Sequence, residues 1–66
     1  MALERLRKLR QDKNLTQAEI ANILYVNQST YSGYETGSRT IPYHLLAVLA
    51  DYYHTSVDYL IGRVDK

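Results

Sequence analysis

The chain has 66 residues, 45% of them apolar and 23% charged, with a net charge of +1, seven tyrosines and no cysteine. That length allows one domain, residues 1–66, and a chain so short buries only about 60% of the surface its unfolded form exposes. Disulfides and thiolate metal sites are excluded, and His44 and His54 have no companion ligands; the longest apolar run, Leu45 to Ala50, is far below the roughly 20 residues of a membrane span. With no signal-like apolar stretch at the start, the expectation is a soluble, cytoplasmic chain that spans no membrane and needs no metal, cofactor or small-molecule ligand.

Apolar residues recur at helical spacing and no run of alternating β-branched residues occurs, so the spacing predicts an all-α chain of five short helices. The first covers roughly residues 2–13, with Leu3, Leu6 and Leu9 on neighbouring faces, and ends near Asn14. It also holds most of the positive charge. Residues 1–13 carry five basic groups against two acidic, whereas residues 14–66 carry three against five. Such a balance suits attraction of a polyanion, and equally suits an ordinary solvated helix face.

Thr16-Gln17-Ala18-Glu19 is a capping box, in which the threonine hydroxyl and the glutamate carboxylate each satisfy one unpaired backbone N–H. It opens a second helix over about 17–24 with Ile20, Ala21 and Leu24 facing inward. A break at Tyr25-Val26 follows, and Asn27 caps a third helix over about 28–35, which Gly37 stops. Pro42 suits the first turn of a fourth helix, where Leu46, Leu49, Ala50 and Tyr53 form a core stripe. Ser56 caps a fifth, short helix with Asp58 in its first turn and Gly62 at its end.

Two capped helices of about eight residues joined by a tight break have the form of a helix-turn-helix. Ala21 is small enough for a close crossing; Val26, Tyr31 and Tyr34 line the packed face of the third helix; Gln28, Ser29 and Ser32 line its polar face. Amide side chains and free N–H groups at that helix start are chemistry for base edges and phosphates. On the residues alone, such a pair is either a DNA-binding unit or part of one of many small helical bundles.

Longer runs narrow the choice. Leu15-Thr16-Gln17-Ala18-Glu19-Ile20-Ala21, Gln28-Ser29-Thr30-Tyr31-Ser32, Tyr34-Glu35-Thr36-Gly37, Ile41-Pro42, Leu49-Ala50 and Ser56-Val57-Asp58-Tyr59-Leu60-Ile61-Gly62 together resemble the Cro/repressor-type (Xre-like) helix-turn-helix regulators over roughly residues 3–63. The resemblance implies a compact five-helix bundle of the lambda-repressor-like DNA-binding type that binds operator DNA as twofold-related pairs. It places Gln17, Asn27, Thr36 and Arg39 at phosphates and Gln28 and Ser29 at base edges, with Ser32 and Gly33 on the same reading face. Arg10 and Glu35 match a pair that bridges the first helix to the end of the third. From the residues themselves, Val57, Leu60 and Ile61 offer more apolar side chain than one short helix needs inside, which suggests a dimer contact.

Two positions depart from the family's pattern. Tyr25 stands where glycine is usual, so the turn is either reshaped or holds a bulky residue in a left-handed conformation at a cost of roughly 1–2 kcal/mol. Gly33 stands where relatives often place a long side chain; it reflects either a non-contact position or tight packing, or else close backbone approach to DNA. Tyr31, Tyr34, Tyr53 and Tyr59 fall at core-type positions, Tyr43 and Tyr52 at surface ones, and His44 and His54 read as exposed residues of the fourth helix. No catalytic constellation or glycine-rich phosphate loop is present, so an enzyme is not expected.

These readings converge on a sequence-specific, double-stranded-DNA-binding transcriptional regulator. The expectation is a repressor, of the bacterial or phage origin that the resemblance implies, acting as a homodimer on a palindromic operator. Two other readings stand beside it: a protein-interaction module, antitoxin- or antirepressor-like, that keeps the fold, and the DNA-binding head of a longer regulator.

Overall fold

The structure, a computed structural model, describes residues 3–65. Among these it holds α1 (Glu4–Asp12), α2 (Gln17–Leu24), α3 (Gln28–Thr36), α4 (Tyr43–Tyr52) and α5 (Val57–Leu60), and no strand. No helix among them is long and apolar enough to cross a membrane. α2 packs on α3 and α4 on α5, while α1 touches both pairs through α3 and α5.

The helix boundaries follow local chemistry. Thr16 Oγ1 accepts from the Glu19 N–H at 3.1 Å and Glu19 Oε1 accepts from the Thr16 N–H at 2.8 Å, completing the capping box of α2. Asn27 Oδ1 accepts from the Thr30 N–H at 2.8 Å and starts α3, and Ser56 Oγ accepts from the Tyr59 N–H at 3.0 Å and starts α5. α1 has no side-chain cap; instead the Leu3 N–H donates to the Glu35 carbonyl at 3.1 Å, fastening the start of α1 to the end of α3.

Three details differ from the sequence expectation. α3 runs one residue further, to Thr36, before Gly37 takes a left-handed φ of 88°. Pro42 is the N-cap of α4, with ψ at 148°, because its extended backbone precedes the first helical residue, Tyr43. His54 lies beyond α4, exposed and left-handed at φ 55°, where the chain turns towards α5.

Every helix sends one fully buried side chain to the centre: Leu6, Ile20, Tyr31, Leu49 and Leu60. The anticipated stripes of α2 and α4 are all buried, and Tyr31 meets Tyr34 edge to face at 6.4 Å between ring centres. Tyr59 is only half-buried, and the Arg5 guanidinium lies over its ring at 4.3 Å.

Leu60 corrects one expected site. It is 1% exposed, so a partner molecule has no access to it without opening the core. Leu60 takes the inward direction of this four-residue helix, while Val57 and, just past the helix end, Ile61 are half-buried and pack against the edge of the core.

Candidate nucleic-acid interface

At 3.6 residues per turn, Gln28, Ser29, Ser32, Gly33 and Thr36 share one arc of α3, opposite buried Tyr31 and Tyr34. Gln28, Ser29 and Thr36 are exposed and Ser32 is half-buried. The arc therefore presents one amide and three hydroxyls with no charge of its own. Asn27, exposed, uses its Oδ1 twice, accepting also from Ser29 Oγ at 2.9 Å, so the helix cap orients a side chain of the arc.

Gly33 is the exception on this arc, because it is buried. A Cβ placed there would lie 2.9 Å from both Cγ and Cδ of Arg39 and 3.0 Å from Ser38 Oγ. The loop after α3 lies over the helix at this point. Of the two explanations for the glycine, close packing within the chain is present.

The turn before α3 keeps its left-handed geometry rather than being reshaped. Tyr25 has φ 59° and ψ 38°, and the Val26 N–H donates to the Ala21 carbonyl at 3.0 Å. Its side chain is 95% exposed, so the strain is not offset by burial of the ring.

Behind the arc, a buried polar cluster ties three helices together. Arg10 of α1 donates from Nε to Glu35 Oε2 at 2.8 Å and from Nη2 to Oε1 at 3.3 Å, while its Nη1 donates to the Leu15 carbonyl at 2.8 Å. Gln17 of α2 donates from Nε2 to Glu35 Oε1 at 3.2 Å, and the Tyr31 hydroxyl donates to Oε2 at 2.6 Å. The Glu35 side chain is 3% exposed and that of Arg10 11%. Burial pushes the Glu35 carboxyl up, but hydrogen bonds from Arg10, Tyr31 and Gln17 outweigh it and hold the group below its ordinary value. Burial, reinforced by the bond to Glu35, raises the Tyr31 hydroxyl well above its own ordinary value.

The expected Arg10–Glu35 pair is present, and Gln17 is part of it. The carboxylate takes one of the two amide protons of Gln17 and leaves the other for an outside acceptor. Tyr31 was expected only as packing; its hydroxyl role was legible in the i, i+4 spacing to Glu35, which puts both on one side of α3. The basic surplus of residues 1–13 is smaller at the surface than by count, because Arg10 is buried and Arg5 donates to the Tyr59 and Val64 carbonyls.

The sequence pattern of the helix-turn-helix domain matches residues 3–60. The chain belongs to that family. Within this helix-turn-helix chain, α2 and α3 are the paired helices and Tyr25 sits at their turn. It is 44% identical over 63 residues to the HTH-type transcriptional regulator AnsR of Bacillus subtilis (strain 168), covering 96% of this chain and 54% of that one. Against the uncharacterized HTH-type transcriptional regulator YobD of the same organism it is 40% identical over 65 residues, covering 98% and 58%. A crystal structure of a transcriptional regulator from Listeria innocua superposes with a TM-score of 0.88 at 33% identity, covering 97% of this chain and 60% of that one. The helix-turn-helix chain thus spans about half the length of the curated relatives it matches.

Proposed function

We propose that this chain binds double-stranded DNA sequence-specifically and regulates transcription as a repressor, two copies engaging a palindromic operator. The observation that carries the reading is the exposed arc of α3, backed by a buried cluster that fixes it against α1 and α2. α3 lies in the major groove, Gln28 pairs with adenine N6 and N7, and Ser29 and Ser32 take neighbouring base edges. Gln17, Asn27 and Thr36 hold phosphates and set the register. Arg39 adds the positive charge that the arc itself lacks. The names of the relatives, all transcriptional regulators, favour the same reading.

One module of this size buries too little surface for tight operator binding, so two copies are needed, their half-sites about one helical turn apart. Val57 at the start of α5 and Ile61 just past its end, both half-buried, are the apolar groups for that contact.

Selection of binding sites from a random duplex pool, at low and at physiological salt, tests the reading. The expected result is a palindromic consensus with half-site centres about 10 base pairs apart. Gln28→Ala should then relax one position, at a cost of about 1–3 kcal/mol in discrimination. Salt-sensitive retention without a consensus would reject sequence-specific binding by this chain, and no retention at low salt would point instead to a protein partner.

A further inference from the structure

The side chain that covers one edge of the reading face comes from outside the helix. Gly33 bounds the arc of α3 on the side of Ser29, and it is the buried member of that arc. What covers it is the aliphatic part of Arg39, whose Cγ and Cδ stand 2.9 Å from where the first carbon of a residue-33 side chain would go, too close for both to keep their places. Backbone contacts brace the segment carrying Arg39. The Gly33 carbonyl accepts from the Gly37 N–H at 2.9 Å and from the Arg39 N–H at 3.1 Å, so the chain folds back on the helix end. Arg39 is exposed overall and has no ion-pair partner among the described residues.

We infer that Arg39 is a base-reading residue, a surrogate for the side chain that position 33 lacks, rather than the phosphate contact implied by the family resemblance. The inference rests on the DNA-binding reading above and assigns it one further specificity determinant. From Cδ, the terminal guanidinium nitrogens are as many bonds away as the amide nitrogen of a glutamine is from its own Cβ. Arg39 therefore has, beyond the slot at position 33, the same number of bonds to its donors as a glutamine placed there would have. Its planar pair of donors suits guanine O6 and N7, a pairing that the uncharged arc of α3 does not otherwise supply. Gly33 is then the slot that lets the arginine cross the helix. Any Cβ there pushes it aside.

The test uses the chain with Arg39→Lys, which keeps the charge and removes the planar fork, and with Gly33→Ala, which keeps Arg39 and fills its slot. Each is put through the same duplex selection and then titrated on duplexes that differ from the wild-type consensus by one base pair, with thermal unfolding as the control for folding. Both variants should lose about ten-fold or more in discrimination at the same guanine-containing base pair, with the rest of the consensus retained. Arg39→Ala with Gly33→Gln should shift the preference at that base pair from guanine towards adenine. If Arg39→Lys weakens binding to every duplex alike and leaves the consensus unchanged, Arg39 is a phosphate contact and the inference is overturned while the DNA-binding reading stands. A wild-type chain that enriches no consensus overturns both.

Discussion

Glu35→Ala removes the acceptor on which Arg10, Gln17 and Tyr31 converge. Breaking a fully buried pair from one side costs about 3–5 kcal/mol, because the remaining charge is stranded. Arg10 retains its bond to the Leu15 carbonyl and 11% exposure of its side chain, so the lower end, about 3 kcal/mol, applies. A chain of 66 residues has only about 3–10 kcal/mol of stability in all, so this one carboxylate carries a large share. In thermal melts followed by far-ultraviolet circular dichroism the midpoint should fall by about 12–24 °C, and urea unfolding at neutral pH should report the same loss.

The pH dependence gives a second reading of the same group. The folded carboxyl titrates below its ordinary value of 4.5, so its stabilisation is complete above that value and is lost as pH falls through the folded pKa. The stability gap between the wild type and Glu35→Gln should be flat above about pH 5.5 and shrink below about pH 4.5. A cost under about 1 kcal/mol for Glu35→Ala, with a gap independent of pH, is what an exposed ion pair would give, and would refute the argument.

Two tyrosines should respond with opposite sign to loss of the hydroxyl alone. Tyr31→Phe deletes a bond to a charged acceptor and should destabilise by about 1.5–3 kcal/mol, whereas the Tyr53 hydroxyl is buried without a partner among the described residues, so Tyr53→Phe should be neutral or stabilising by up to about 1 kcal/mol in urea unfolding. Burial also pushes the Tyr53 hydroxyl up to about 12, so ultraviolet titration should find it still protonated where exposed tyrosines have ionised. Tyr25→Gly relieves a left-handed tyrosine that packs on nothing, and should raise stability by up to about 1 kcal/mol after the greater chain entropy of glycine is counted; a loss of stability would show that the exposed ring has an unrecognised contact. Leu60→Ala should cost about 2–5 kcal/mol of stability, whereas Ile61→Asp, at a half-buried position, should cost less and lower the sedimentation mass if two copies associate through α5.

Much of this molecule was determined by the sequence acting over short distances. The capping groups Thr16, Asn27 and Ser56, the stop at Gly37 and the apolar stripes of α2 and α4 depend on bonds and spacings within one helical turn, so the five helices and the polar arc of α3 were legible without coordinates. The Arg10–Glu35 pair was legible only through family resemblance, since nothing local joins residues 25 apart. Tertiary structure decided which way each ambiguous residue turned. Pattern alone does not say whether Leu60 or Ile61, just past the end of the four-residue helix, fills the core, nor that the Tyr53 hydroxyl is buried with no partner among the described residues. It also does not say that Arg39 covers Gly33, because that contact depends on how the loop after α3 returns across the helix. Local chemistry sets where helices begin and end; only their packing sets which side chains meet, because burial and pairing are properties of the assembled core.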